Sequence, residues 1–136
     1  MTVVYAESQD YSCIKLDYLC GKGADMLCFL RGSTIIANPA FRNNAFLVEI
    51  KDSSTISKYR EALDRIQKSL QNLNSDIRPK RAYIVFKEKA NKDFSQVLQK
   101  INEIKRIYDI QLKEIYVDEI ENSDLRHIKN LILEFE

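Results

Sequence analysis

The sequence predicts an α/β protein whose mixed β-sheet begins as an N-terminal β-meander and continues as β-α-β-α-β-α. Two observations predict it. Up to Lys51, short apolar runs are separated by turn residues, as in successive strands. Beyond Lys51, apolar residues recur at steps of three and four in segments that alternate with short β-branched or aromatic runs, the pattern of helices covering a sheet.

The first half divides into strands. Val3–Glu7 reads as a short one and Cys13–Cys20 as a firmer one, ending at Gly21-Lys22-Gly23, where glycine supplies positive φ. Ala24–Leu30 is a largely buried strand. Gly32-Ser33 reads as a turn and Thr34–Ala37 as another short strand, while Asn38-Pro39 and Arg42-Asn43-Asn44 break regular structure. Phe46–Lys51 follows and is the strand of most interest. Side chains alternate across a strand, so Phe46, Val48 and Ile50 share one face and Leu47, Glu49 and Lys51 the other. An apolar strand that turns a carboxylate and an ammonium the same way either pairs them, binds something with them, or emerges there into solvent.

In the second half, Ser53, Ser54 and Thr55 offer helix caps ahead of Tyr59, Leu63, Ile66, Leu70 and Leu73, an amphipathic stripe. Pro79 ends the next loop and Ala82–Phe86 is a strand. Phe94, Val97, Leu98, Ile101, Ile104 and Tyr108 mark a second helix, and Leu112–Val117 a further strand. Ser123 caps a final helix with Leu125, Ile128, Leu131, Ile132 and Phe135 inward. Phe46–Lys51 stands where the meander gives way to alternation, which predicts a central strand.

At 136 residues, 45% hydrophobic and 30% charged, the chain suits a single domain spanning residues 1–136. No apolar run reaches the length of a membrane span, and the N-terminus lacks the basic lead and apolar core of a signal peptide, so a cytoplasmic protein without a membrane partner is expected. Cys13, Cys20 and Cys28 lie on apolar segments without a CxxC pair. Buried free thiols account for them more simply than a disulfide between two of them. The net charge of +1 hides an asymmetry. Residues 1–108 hold 18 Lys/Arg against 12 Asp/Glu, a balance of +6, and residues 109–136 hold 3 against 8, a balance of −5. The densest basic cluster, Arg78, Lys80, Arg81, Lys87, Lys89 and Lys92, is a candidate for phosphate contact, with solvated strand ends as the ordinary alternative. Such a balance does not predict strong non-specific nucleic-acid binding.

Ala24-Asp25 at the start of one strand, a turn-containing connection, then Val48-Glu49-Ile50-Lys51 and a helix resembles the PD-(D/E)xK nuclease superfamily, the restriction-endonuclease-like fold. The resemblance covers roughly Cys13 to Phe86, and its motif is short. It implies Asp25 and Glu49 as metal ligands and catalytic residues, Lys51 as the catalytic lysine, and Mg²⁺, or alternatively Mn²⁺, as cofactor. DNA or RNA would be the substrate, and a homodimer could span a duplex. The chemistry is coherent: phosphodiester hydrolysis needs a hard cation held by carboxylates, and an adjacent ammonium can position the attacking water. Ala24 stands where the family usually has proline. The family's first helix, which supplies another acid, has no counterpart in the extended N-terminal segment, where Glu7, Asp10 or Asp17 would have to substitute. Lys58 and Tyr59, early in the following helix, are secondary candidates for phosphate contact, Tyr59 reading more simply as core. His127 reads as a surface residue, and Gly21-Lys22-Gly23 is too short for a phosphate loop. The alternative function is a non-catalytic, nuclease-like interaction module or subunit of a larger defence or nucleic-acid assembly. The alternative reading of Glu49 and Lys51 is an exposed pair on a sheet edge.

Overall fold

A computed structural model describes residues 4–7, 11–16, 24–30, 45–73, 78–90 and 93–134. Six strands form one mixed sheet in the order β1 (Val4–Glu7), β2 (Tyr11–Lys15), β3 (Met26–Leu30), β4 (Phe46–Ser53), β5 (Arg81–Glu88) and β6 (Gln111–Tyr116). The pairings from β1 to β4 are antiparallel, and those of β4 with β5 and β5 with β6 are parallel. Parallel neighbours require a crossover. Helix α1 (Ile56–Asn72) makes the first, and a 3₁₀ turn at Ser95–Val97 running into α2 (Leu98–Tyr108) makes the second.

β4 is central, as its apolar run predicts, and the alternation along it sorts side chains between two cores. On one face Leu27, Leu47, Ile84 and Phe86 pack against Tyr59, Leu63 and Ile66 of α1 and Ile104 of α2. On the other, Met26, Phe46, Val48, Tyr83 and Val85 pack against Ile120, Leu125, Ile128 and Ile132 of the C-terminal segment. The sheet is therefore covered on both sides, which is why β4 and β5 read as nearly continuous apolar runs.

Thr55 is the N-cap chosen from the three candidates, its hydroxyl accepting from the Lys58 N–H at 3.2 Å. Ser54 is buried instead, and its Oγ accepts from the Ala90 N–H at 2.9 Å. α2 ends on Asp109 in the left-handed conformation (φ 50°), with Lys105 and Arg106 in its last turn facing the negative end of the helix dipole.

Several boundaries differ from those the sequence predicts. β2 starts at Tyr11 and stops at Lys15, because Lys15 pairs with Met26, the first residue of β3, and the ladder ends there. Ala24 and Asp25 precede β3 instead of opening it. A 3₁₀ turn, Val117–Asn122, follows β6, and the predicted final helix is a second such turn, Asp124–Ile128, followed by a short α3 (Lys129–Glu134). Ser123 caps the second of these turns, its Oγ accepting from the Leu125 N–H at 3.1 Å. The predicted turn at Gly32-Ser33, the strand at Thr34–Ala37, the breaks between Asn38 and Asn44, and Phe135 lie outside the described residues. Among the described residues no helix is long and apolar enough to cross a membrane.

The expectation of free thiols is corrected at two of the three cysteines. Cys13 and Cys28 lie directly opposite one another on β2 and β3 and are joined as a disulfide, both fully buried. Sequence spacing hid this pair because it depends on the β2–β3 register. With three cysteines in the chain and two of them joined, one thiol is expected to titrate in denaturant without reductant, and all three after reduction. Three reactive thiols before reduction would exclude the bridge.

Candidate functional site

The antiparallel register that sets Met26 against Val48 brings Asp25 and Glu49, the next residues outward, face to face across β3 and β4. Both then lie on the side of the sheet covered by α1. Three contacts hold Asp25 in place. The Ala24 N–H donates to Ser69 Oγ at 2.6 Å, the Leu16 N–H donates to the Asp25 carbonyl at 3.3 Å, and the Ile50 N–H donates to Asp25 Oδ2 at 2.6 Å. The last of these uses a backbone donor of β4 itself, so the carboxylate is tied to the strand that carries Glu49.

Glu49 is 1% exposed, and its Oε2 has no hydrogen-bond partner. A buried, unpaired carboxylate is costly. Burial, then a hydrogen bond with the Asp25 side chain, then the charge of Asp25 push the Glu49 carboxyl up to about 10, while Lys51 and Arg65 pull the other way. Burial and the neighbouring carboxylate outweigh two cations because desolvation acts on the charge at close range.

Lys51, 9% exposed, turns the same way as Glu49, and its Nζ donates to Glu61 Oε1 on α1 at 2.6 Å. The same Glu61 oxygen lies 3.7 Å from Arg65 Nη2, one helical turn further on. The hydrogen bond from Lys51 holds the Glu61 carboxyl below its usual range. Asp25, Glu49 and Lys51 therefore converge as their positions predict, and the alternative of an exposed edge pair is corrected. Glu49 is buried on a central strand, and the ion-pair partner of Lys51 is Glu61.

These residues line a cavity of about 220 Å³ together with Ile50, Asp52, Lys58, Arg65 and Lys87. Lys58 is thus in place. Arg78, Lys80 and Arg81 are not: they stand at the start of β5, where Arg81 pairs with Phe46, whereas Lys51 pairs with Phe86. Five residues along a strand put roughly 16 Å between those levels. Lys80 instead lies 3.7 Å from Asp109, and the Arg81 guanidinium covers the Phe46 and Tyr83 rings and donates to Tyr83 Oη. Tyr59 is fully buried, its Oη donating to Glu114 Oε2 at 2.8 Å, so it serves the core. His127 belongs to the 3₁₀ turn Asp124–Ile128 of the segment that packs on the opposite face. Asp10, Asp17 and the Glu7 side chain lie outside the described residues.

Glu61, Arg65 and Ser69 are not among the residues the sequence singles out, whereas Lys87 belongs to its basic cluster. Lys58, Glu61 and Arg65 fall at i, i+3 and i+7, one face of a helix, and that spacing was the available signal. Ser69 has none, since its place follows from a contact 45 residues apart in sequence, and only the β4–β5 register brings Lys87 to the end of β4 that carries Glu49 and Lys51. Replacing Ser69 with alanine leaves the Ala24 N–H without its acceptor at a buried position, at a cost of about 1–3 kcal/mol. Urea denaturation measures it, and an unchanged midpoint would remove Ser69 from the support of Asp25.

The donor set fits a hard cation: two carboxylates meet, and one presents a buried oxygen with no partner. Among the described residues no group of three or more His, Cys, Asp or Glu side chains is disposed to hold a metal. Mg²⁺ suits such a pair, because it retains several waters. No family model, curated protein or solved structure matches the chain.

Proposed function

We propose that the protein is a metal-dependent phosphodiesterase acting on DNA or RNA, with a nuclease-like site at Asp25, Glu49 and Lys51. The observation that carries this reading is the buried Glu49 carboxyl, face to face with Asp25 and with one oxygen unpartnered. A pair of acids that burial forces to retain a proton is a poor structural solution and a good cation trap, because a divalent ion can replace the proton and satisfy both carboxylates. The reading follows the chemistry of the PD-(D/E)xK superfamily, which the short motif at Asp25, Glu49 and Lys51 resembles.

Asp25 and Glu49 would hold Mg²⁺ or Mn²⁺, which supplies Lewis-acid stabilisation of the phosphorane-like transition state and lowers the pKa of a bound water. Asp25 is pre-oriented by the Ile50 N–H, so little reorganisation is needed when the site is filled. The Lys51 ammonium, close enough to Glu49 to favour its charged form, stabilises the carboxylate and orients the attacking oxygen. Glu61 holds that ammonium at the cavity wall until a phosphate competes for it.

The engagement of Lys51 by Glu61 also suits a second reading, a non-catalytic module that keeps the ion pair as a structural tie. The two separate in one assay of the purified protein on single- and double-stranded DNA and RNA with Mg²⁺ or Mn²⁺. Cleavage is expected in the wild type and a fall of about 10²-fold or more in Lys51→Ala. No cleavage, or cleavage unchanged by Lys51→Ala, would leave the module.

A further inference from the structure

We infer that Lys58, Arg65 and Lys87 form a phosphate subsite beside the Asp25–Glu49 pair, through which the protein grips a polynucleotide by its backbone without reading bases. The inference rests on the phosphodiester reading of the cavity and names what that cavity recognises.

Three observations carry it. First, the basic side chains reach one cavity from separate elements, Lys58 and Arg65 from α1 and Lys87 from β5, and with Lys51 of β4 they surround the acids. Cations gathered round a buried carboxylate pair match a ligand that is itself anionic and also takes a bridging cation, which describes a phosphodiester. The unpartnered Glu49 Oε2 in the same cavity offers an acceptor to the cation that such a ligand brings with it. Second, the first turn of α1, where Lys58 sits, carries no acidic residue, and Asp52 is the one acid besides Asp25 and Glu49 among the residues lining the cavity. Third, the cavity of about 220 Å³ lies below the roughly 300–1,000 Å³ of pockets that enclose a whole small ligand. That volume accommodates a phosphate group. The basic side chains at its wall offer charge and hydrogen-bond donors to a phosphate, so recognition through the backbone is electrostatic.

This moves the phosphate contacts away from Arg78 and Lys80, which stand at the other end of β5. Both serve as controls.

The test is fluorescence anisotropy of the full chain with two labelled single-stranded oligonucleotides of unrelated sequence, in EDTA so that nothing is cleaved, over roughly 50 to 200 mM salt. Lys58→Gln, Arg65→Gln and Lys87→Gln are each expected to weaken binding about 3- to 10-fold, equally for both sequences. The triple variant is expected to flatten the log–log salt slope by about 2, at ~0.7 per lost contact on a single strand. Arg78→Gln and Lys80→Gln are expected to bind as the wild type does. Unchanged affinity and slope in the triple variant would overturn the subsite, as would losses that differ between the two sequences, or equal losses in the Arg78 and Lys80 controls. Inorganic phosphate competing as strongly as the oligonucleotide would assign the site to the free anion and overturn the polynucleotide grip. If binding falls as expected in the variants but the wild type cleaves nothing with Mg²⁺ or Mn²⁺, the subsite stands and the hydrolytic reading alone fails.

Discussion

Glu49→Gln is expected to abolish metal-dependent cleavage and at the same time to stabilise the protein at neutral and alkaline pH. The amide keeps the shape of the side chain and can hydrogen-bond to Asp25, but it provides no charge to hold a cation. A loss of about 10³-fold or more follows if several kcal/mol of transition-state stabilisation pass through this ligand. The stability effect has the opposite sign. The folded state holds the Glu49 proton to about 10, whereas an unfolded glutamate releases it near 4.3. Between those values the folded state binds more protons than the unfolded one, so wild-type stability falls as pH rises through that window. Glutamine has no proton to surrender, and the variant escapes the penalty. A gain that is clear at pH 8 and shrinks towards pH 4 is expected in urea denaturation. A variant less stable than the wild type at pH 8, and equally so at pH 4, would mean that Glu49 is a satisfied structural group, and the cation site would lose its main support.

The second large effect lies in the core that carries the site. Leu63 is fully buried on α1 among the residues packed on β4 and β5. Leu63→Ala is expected to cost about 3 kcal/mol, the lost transfer energy plus that of the cavity left behind. For a chain of this size the loss lowers the melting temperature by roughly 10 °C. Leu98, on α2 and 52% exposed, is the control, with alanine there changing stability by less than about 0.5 kcal/mol. Equal losses at the two positions would contradict the packing of α1 on the sheet. Because α1 also carries Lys58, Glu61 and Arg65, loosening it should weaken oligonucleotide binding before the protein unfolds.

The order of elements was legible because it depends on local periodicity. Steps of three and four from Tyr59 to Leu70 belong to a helix with one buried face, and an uninterrupted apolar run from Phe46 to Val48 belongs to a strand covered on both sides. The C-terminal segment was read less well. Leu125, Ile128 and Ile132 are inward as their spacing predicts, but spacing does not distinguish a 3₁₀ turn from an α-turn over so few residues. Asp25, Glu49 and Lys51 can be singled out together because strand alternation fixes a face and because their pattern resembles a known one. That Arg78, Lys80 and Arg81 stand apart from the cavity is not legible in sequence, because closeness to Lys87 says nothing of which end of an eight-residue strand a side chain occupies.

The sequence by itself determined the strand and helix types, the sharing of one β4 face by Glu49 and Lys51, and the central place of that strand. Tertiary structure alone decided that Asp25 meets Glu49, that Cys13 meets Cys28, that Lys51 is held by Glu61, and that Ser69 anchors Ala24. The division has one physical cause. Periodicity is written by neighbours a few residues apart, whereas each of these contacts depends on the register between elements, which is set only when the sheet pairs and the helix packs upon it.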